Sequence, residues 1–82
     1  MYYAYVIKSL CFDYYYKGHC HDLERRLAQH NAGKTPSIRA YIPFRLVYFE
    51  SFQTESEAVK REKYFKTAAG RRYLKLKIDA LQ

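Results

Sequence analysis

The sequence lacks several features that mark whole classes of protein. None of its apolar runs approaches the roughly 18 residues needed to span a membrane, and its N-terminus has no separate charged, apolar and cleavage regions. It contains only two cysteines, Cys11 and Cys20, and neither has a second cysteine at zinc-site spacing. We therefore expect a cytoplasmic protein with reduced thiols and no membrane association.

Tryptophan is absent and acidic residues are few, whereas tyrosine and basic residues are abundant. The 82 residues include ten Tyr, 15 Lys and Arg, and 8 Asp and Glu, so the formal net charge is +7. Because 49% of the residues are hydrophobic, the chain is too apolar for a disordered basic tail, and its length predicts one domain over residues 1–82. The charge alone fits nucleic acid, an anionic membrane or an acidic protein as partner.

The N-terminal part predicts a β-hairpin. Residues 2–8 and 14–18 are rich in aromatic and β-branched side chains, which favour strands, and a short connection joins them. If the turn is centred after residue 10, antiparallel pairing places Tyr5 opposite Tyr16. Two tyrosines then face one another on one surface of the sheet.

A helix is predicted over residues 22–31, with the aspartate at position 22 as its N-cap. Leu23 and Leu27 form its buried stripe, and Arg26 and His30 lie four residues apart on a neighbouring face. We expect this second face to border a groove. The following stretch, residues 33–43, holds both prolines without a clear period and predicts a mobile basic loop.

The C-terminal half predicts one strand and two helices. Residues 44–50 have strand composition, and Thr54 with Glu57 forms a capping box that begins a helix ending near residue 66. Gly70 is expected to separate this helix from a last one, whose buried positions are Leu74, Ile78 and Leu81. The order β-β-α-β-α-α predicts an α+β fold with a three-stranded antiparallel sheet flanked by helices. Residues 55–77 contain eight basic and three acidic side chains, so these helices form the basic face.

Several separated motifs together resemble the GIY-YIG nuclease superfamily over nearly the whole chain. The motifs, in chain order, are Tyr3-Ala4-Tyr5 where the family has Gly-Ile-Tyr, Tyr16-Lys17-Gly18 where it has Tyr-Ile-Gly, Asp22–Leu27 followed by His30, and Ala58 with Glu62. The chain is most similar to small bacterial stand-alone members and to the N-terminal nuclease domain of a bacterial DNA-repair excinuclease. Tyr3 and Lys17 depart from the family pattern.

The resemblance implies a metal-dependent endonuclease that hydrolyses DNA phosphodiester bonds, on branched or damaged DNA. Its site would contain Tyr5, Tyr16, Arg26, His30 and Glu62. Glu62 would bind Mg²⁺ (or Mn²⁺), and the guanidinium of Arg26 would bind phosphate. Tyr5 would orient or deprotonate the attacking water, which requires nearby cations to lower its pKa, with Tyr16 and His30 assisting. Which of these three moves the proton stays open at this stage.

DNA is the expected partner, with a further protein partner for substrate targeting. Residues expected to contact nucleic acid are Lys17, His19, Arg25, Lys34, Arg39, Lys60, Lys63, Lys66, Arg71 and Arg72. By strand alternation the Lys17 side chain points away from the face that carries Tyr5 and Tyr16. The sequence does not determine the oligomeric state.

Each candidate also has an ordinary structural explanation. Strand tyrosines form cross-strand pairs, Arg26 lies four residues after Asp22, and Glu62 is flanked by basic residues on a solvated helix. The segment His19-Cys20-His21 lacks the further ligands of a zinc site. Two other functions therefore stand beside the nuclease: a non-catalytic nucleic-acid-binding module, and an adaptor in a DNA repair complex.

Overall fold

The computed structural model describes residues 1–81 and confirms the α+β class and the predicted order of elements. The elements are β1 (Tyr2–Ser9), β2 (Tyr15–Cys20), α1 (Leu23–Asn31), a 3₁₀ helix (Pro36–Tyr41), β3 (Phe44–Phe52), α2 (Glu55–Phe65) and α3 (Ala68–Ala80). The three strands form one antiparallel sheet in the order β2-β1-β3. Among residues 1–81, no helix is both long and apolar enough to cross a membrane.

The central strand β1 is buried on both faces, because helices cover both sides of the sheet. Ala4 and Val6 face α2 and α3, where they contact a core that includes Phe65, Leu74 and Ile78. Tyr5 and Ile7 face the opposite side, toward α1 and the 3₁₀ helix, where they contact Ile38 and Phe44. Residues 4–7 are each at most 2% exposed. Two small cores therefore share one strand.

The hairpin register differs from the sequence prediction. Tyr5 pairs with Gly18 and Ile7 with Tyr16, so Tyr5 does not lie opposite Tyr16. The cause is in the turn, where the Ser9 hydroxyl accepts hydrogen bonds from the backbone N–H groups of residues 11 and 12, and the Ser9 N–H donates to the carbonyl of Tyr14. The turn is thereby centred one residue later, which moves each cross-strand partner by two positions. A shift of two keeps every side chain on its predicted face.

The segment predicted as a mobile loop is partly helical and anchored in the core. Residues 36–41 form the 3₁₀ helix, and Ile38 is 1% exposed between α1 and the sheet. Gly33 follows α1 with a φ of 79°, as expected for a glycine just beyond a helix end. The prolines led to the prediction of a mobile loop, but burial of the apolar Ile38 side chain anchors this segment to the core.

The two C-terminal helices meet more closely than predicted. Thr54 and Glu57 form the predicted capping box of α2. Gly70, however, lies inside α3, where an added Cβ would collide with the backbone of Tyr64 in α2. The prediction of Gly70 as a separator is therefore wrong, because the glycine is needed for close approach of the two helices. Leu81 is 69% exposed and does not join the buried positions of α3, because the helix ends just before it.

A polar network fixes α2 and α3 to the outer strand β3. The carboxylate of Glu50 accepts hydrogen bonds from the hydroxyl groups of Tyr48 and Tyr73, and it forms an ion pair of 2.8 Å with Arg61 of α2. The Arg61 guanidinium also lies 4.6 Å and 4.8 Å from the ring centroids of Tyr64 and Tyr73. Arg61, the residue before Glu62, is therefore held in a fixed position relative to the sheet.

Candidate active site

Three of the predicted site residues form a hydrogen-bonded unit between β1 and α1. The hydroxyl oxygen of Tyr5 lies 2.7 Å from Nε2 of His30, and Nε of Arg26 donates to the same hydroxyl over 3.4 Å. The position of Arg26 is also set by a 3.1 Å hydrogen bond to the side chain of Gln29. Helical spacing places Arg26 and His30 on one face, and β1 supplies Tyr5 to that face.

His30 is neutral and fully buried. Its Nδ1 lies 2.8 Å from the hydroxyl of Thr35, and the side chain is inaccessible to solvent. Burial, assisted by the positive charge of Arg26, lowers the pKa of His30 from 6.5 to about 4. We infer that Nδ1–H donates to Thr35 and that Nε2 accepts the Tyr5 hydroxyl proton in a hydrogen bond. The expectation that His30 lies at a groove edge is therefore wrong.

The protonation of Tyr5 also differs from the expectation. Burial raises the pKa of Tyr5 from 10.0 to about 12, although the hydrogen bond and charge of Arg26 act in the opposite direction. Tyr5 is 2% exposed, so the cost of placing a phenolate there outweighs a single adjacent guanidinium. The hydroxyl is therefore protonated at neutral pH in the free protein.

Tyr16 borders this unit from β2. Its ring centroid lies 5.1 Å from that of His30 and 6.5 Å from that of Tyr5. Tyr16 is half-buried, so one part of its side chain reaches solvent while the other contacts the core. Four predicted site residues, namely Tyr5, Tyr16, Arg26 and His30, thus meet in one cluster.

Glu62 lies in a second cluster, on the side of the sheet covered by α2. Its Oε1 accepts a 2.6 Å hydrogen bond from Nδ1 of His19, and its Oε2 forms a 2.7 Å ion pair with Lys66. Burial alone would raise the pKa of Glu62, but the hydrogen bonds and charges of Lys66 and His19 lower it overall. The carboxylate is therefore ionised, and it lies in a strongly basic environment.

The end of β2 joins the two clusters. Gly18 contacts Tyr5 on one face, and the next residue, His19, contacts Glu62 on the other. A shallow cleft of about 250 Å³ opens at this end of the strand and is lined by both His19 and Arg26. The remaining lining residues are Cys20, His21, Asp22, Arg25, Gln29 and Glu55. A single ligand in this cleft would contact Arg26 of the first cluster and His19, the hydrogen-bond partner of Glu62, in the second.

Sequence reasoning missed two residues of this region, Thr35 and Gln29, and the pairing of Lys66 with Glu62. Thr35 and Gln29 position His30 and Arg26, and no sequence pattern marked either of them. The pairing of Lys66 with Glu62 was detectable, because the two residues have the i, i+4 spacing of a helical ion pair. The side chains of Asp22 and Arg26 form no ion pair, and the Asp22 carboxylate instead caps α1 by accepting a hydrogen bond from the Arg25 N–H.

Comparison with known proteins establishes the family. The family model described as the GIY-YIG catalytic domain matches residues 1–75. The chain belongs to the GIY-YIG family. The resemblance drawn from the motifs is thereby confirmed, and membership places this GIY-YIG protein in a nuclease family.

Similar proteins carry the family designation UPF0213. This GIY-YIG protein is 44% identical over 78 residues to a UPF0213 protein of Staphylococcus saprophyticus, with 90% of each chain covered. It is 45% identical over 69 residues to a UPF0213 protein of Lactiplantibacillus plantarum, with 79% of this chain and 66% of that protein covered. The solution structure of a UPF0213 protein from Bacillus halodurans is 29% identical, with a TM-score of 0.52, covering 90% of this chain and 82% of that one.

The residues expected to contact nucleic acid lie in four areas of this GIY-YIG protein. Lys34 is exposed just before the 3₁₀ helix and Arg39 is exposed within it, and Arg25 on α1 lines the cleft. Exposed positions on the two C-terminal helices are Lys60, Lys63, Lys66, Arg71 and Arg72. Lys17 and His19 are half-buried on the sheet face that carries α2 and α3, away from Tyr5 and Tyr16.

GIY-YIG nucleases typically use a divalent metal ion, so the side chains of the two clusters matter as possible metal ligands. The ionised Glu62 carboxylate offers the hard oxygen that Mg²⁺ prefers. Within residues 1–81, no group of three or more His, Cys, Asp or Glu side chains could hold a metal ion. The single Glu62 carboxylate is therefore the donor in these two clusters whose chemistry suits such an ion.

Proposed function

We propose that this GIY-YIG protein is a divalent-metal-dependent endonuclease that hydrolyses phosphodiester bonds of DNA. The observation that carries the proposal is the buried unit of Tyr5, Arg26 and His30 beside a cleft lined by Arg26 and by His19, the hydrogen-bond partner of Glu62. The unit offers a phosphate-binding guanidinium together with a hydroxyl–imidazole pair. Family membership and the net charge of +7 support nucleic acid as the substrate.

Arg26 is the proposed phosphate ligand. Its guanidinium presents several N–H groups in a fixed fork, which matches the oxygens of a phosphate. The hydrogen bonds from Arg26 to Tyr5 and Gln29 hold this fork before substrate arrives, so little side-chain entropy is lost on binding. Arg26 would stabilise the charge that builds on the phosphoryl oxygens during in-line attack.

Tyr5 and His30 form the proposed proton path. As water attacks the phosphorus, its proton passes to the Tyr5 oxygen while the Tyr5 hydroxyl proton moves to Nε2 of His30. The phosphorus–oxygen bond to the leaving group breaks, and the departing oxygen takes a proton from solvent. This relay needs no free phenolate, which agrees with the high pKa of Tyr5. The neutral state of His30 provides the required acceptor.

Glu62 is the proposed metal ligand for Mg²⁺ or Mn²⁺. Bound there, such an ion would supply Lewis-acid stabilisation of the phosphate and of the leaving oxygen. His19 and Lys66 keep the carboxylate ionised and oriented toward the end of β2. We propose Tyr16 as a half-buried side chain that assists phosphate contact at the rim.

The test is cleavage of labelled single-stranded, duplex, nicked and branched DNA with Mg²⁺, Mn²⁺ or EDTA. Glu62→Gln should abolish metal-dependent cutting while leaving the fold unchanged by circular dichroism. Glu24→Gln serves as a matched control, because Glu24 is an exposed helical glutamate outside the cleft. Cutting that survives in Glu62→Gln, or that persists in EDTA, would contradict the proposal.

The alternative of a non-catalytic nucleic-acid-binding module predicts a different pattern. Neutralising Glu62 would leave DNA binding intact or tighten it, since a negative charge leaves a phosphate-facing surface. Tight binding by the unmodified protein without cutting under any metal condition would favour this module, or an adaptor in a repair complex that supplies its basic surface to a protein partner.

A further inference from the structure

A second cleft, of about 310 Å³, lies between β2 and α3, outside the candidate active site. Its floor is apolar and includes Leu74 and Ile78, and Tyr15 borders it from β2. Ligand pockets of this kind are mostly apolar with a few polar groups that fix orientation, and this volume is at the lower end of their usual range.

Positive charge is concentrated at one end of this cleft. Lys17 and Arg71 line it there, and Lys66 is close enough to act on Lys17. Burial and the charges of Arg71 and Lys66 lower the pKa of Lys17. Among residues 1–81, no carboxylate lies within 4.0 Å of the Lys17 or Arg71 side-chain nitrogens. Lys17 is half-buried without a carboxylate counter-ion, which costs stability, and a bound anion that also contacts the exposed Arg71 would relieve that cost.

Negative charge is at the other end. Asp79 follows Arg71 by eight positions, about 12 Å along the axis of α3 at the helical rise per residue. Asp13, which also lines the cleft, lies in the hairpin turn before β2, four positions ahead of Lys17. The cleft therefore has a cationic end with Lys17 and Arg71, an apolar middle, and an end that carries the carboxylates of Asp13 and Asp79 beside the exposed Lys75.

We propose that this cleft binds one unpaired nucleotide of a nucleic-acid strand. The phosphate lies against Lys17 and Arg71, and the base rests on the apolar floor beside Tyr15. The carboxylates of Asp13 and Asp79 accept hydrogen bonds from an exocyclic amino group of the base. Adenine, cytosine and guanine carry such a group and thymine does not.

The proposal rests on the proposed nuclease function and narrows its substrate class. Lys17 and His19 are two residues apart on the same face of β2, a separation of about 6.6 Å. A strand whose phosphate lies near Glu62 therefore continues into this cleft over a short distance. A base can enter only after it leaves the helical stack, so the substrate is single-stranded DNA or DNA with an unpaired branch.

The first experiment is a ¹⁵N NMR titration of the full chain with dAMP, dCMP, dTMP and inorganic phosphate. Amides of residues 15–17 and 71–79 should shift with dAMP and dCMP, less with dTMP, and only near Lys17 and Arg71 with phosphate. Arg71→Gln and Lys17→Gln should each weaken dAMP binding about tenfold, the loss of one charge-assisted contact. Arg45→Gln is the matched control, since Arg45 is exposed on β3 at the opposite edge of the sheet. Shifts that map to α1, equal binding of dTMP, or equal weakening by Arg45→Gln would overturn the proposal.

A second experiment separates a nucleotide within a strand from a free one. Anisotropy with Glu62→Gln protein should give tighter binding of DNA with a single-stranded extension than of blunt duplex, and Lys17→Gln should remove that preference. No preference, or a preference that Lys17→Gln leaves intact, overturns the cleft assignment whether or not the protein cuts DNA. Nucleotide binding in the cleft by a protein that never cuts DNA would instead refute the nuclease and retain the cleft.

Discussion

The ring of Tyr5 lies directly over the backbone of Gly18. A Cβ added to Gly18 would be 2.5 Å from the Tyr5 hydroxyl oxygen and 2.7 Å from the ring carbon that bears it. The two residues are cross-strand partners in β1 and β2. Because Gly18 of the Tyr16-Lys17-Gly18 motif has no side chain, it leaves the space that Tyr5 of the Tyr3-Ala4-Tyr5 motif occupies.

Replacing Gly18 with alanine should displace Tyr5 and its hydrogen bonds to Arg26 and His30. We expect Gly18→Ala to destabilise the fold by about 1–3 kcal/mol, as overpacking in a core does, and to reduce cleavage strongly. Urea unfolding and the cleavage assay measure the two effects. In a Tyr5→Leu background the hydroxyl oxygen and the ring carbon that bears it are both gone, so the added cost of Gly18→Ala should be smaller. Additive costs in this double-mutant cycle would contradict the proposed clash.

Stability should fall on mild acidification because of His30. Its pKa is 6.5 in the unfolded chain and about 4 in the fold, so the unfolded state binds more protons between these values. The stabilisation is complete above about pH 6.5 and is lost as the pH falls toward 4, by on the order of 2–3 kcal/mol. Urea unfolding at intervals from pH 7.5 to 4 measures this change.

The histidine variants provide the control for this pH dependence. His30→Gln removes the titrating group and should flatten the curve in this window, although the variant is less stable throughout. His21→Gln replaces an exposed histidine and should leave the curve unchanged. A pH dependence that survives in His30→Gln would assign the effect to another group.

Most of the fold was predictable from the sequence because its signals are local. The aspartate cap of α1, the capping box at Thr54 and Glu57, and the aromatic strands each lie within a few residues of one another. The hairpin register was not predictable in this way, because it depends on hydrogen bonds to the Ser9 hydroxyl within the turn. Gly70 was misinterpreted for a similar reason, since its role depends on how closely α2 approaches α3.

Sequence reasoning selected the residues of the candidate site, but it did not give their electrostatics. Helical spacing placed Arg26 and His30 on one face, and the family resemblance selected Tyr5 and Glu62. The pKa of Tyr5 was expected to fall, yet it rises, because the sequence gives no measure of burial at β1. The pairing of His19 with Glu62 spans 43 positions and arises only from the packing of α2 on β2.

Arg26→Lys should not preserve activity. Lysine keeps the positive charge but cannot donate from a planar fork to phosphate and to the Tyr5 hydroxyl at once. We expect cleavage to fall by at least about tenfold, equivalent to 1.4 kcal/mol of transition-state stabilisation. Arg45→Lys makes the same change at an exposed arginine on β3 and should cut normally. Equal activity of both variants would remove Arg26 from the proposed site.

DNA affinity should depend strongly on salt. Each phosphate contact made by a basic side chain adds about 0.7–0.9 to the slope of log K against log salt concentration. We expect the slope to fall when Lys60 and Lys63 of α2 are both replaced with glutamine in the Glu62→Gln background, which prevents cutting. The expected decrease is about 0.7–1.8, the contribution of one to two phosphate contacts. Fluorescence anisotropy from low to moderate salt provides the measurement. A binding constant that does not change with salt would show that the basic face of the C-terminal helices is not the DNA-binding surface.

The ion pair between Arg61 and Glu50 has a consequence for the neighbouring residue. Glu62 is held by His19 at one edge strand of the sheet, while the preceding residue is held by Glu50 at the other edge strand. The position of the Glu62 carboxylate therefore depends on contacts with both edge strands of the sheet, β2 and β3. Any change in sheet twist moves His19 and Glu50 relative to each other. The geometry of the candidate metal ligand Glu62 therefore depends on the twist of the whole sheet and not on one helix alone.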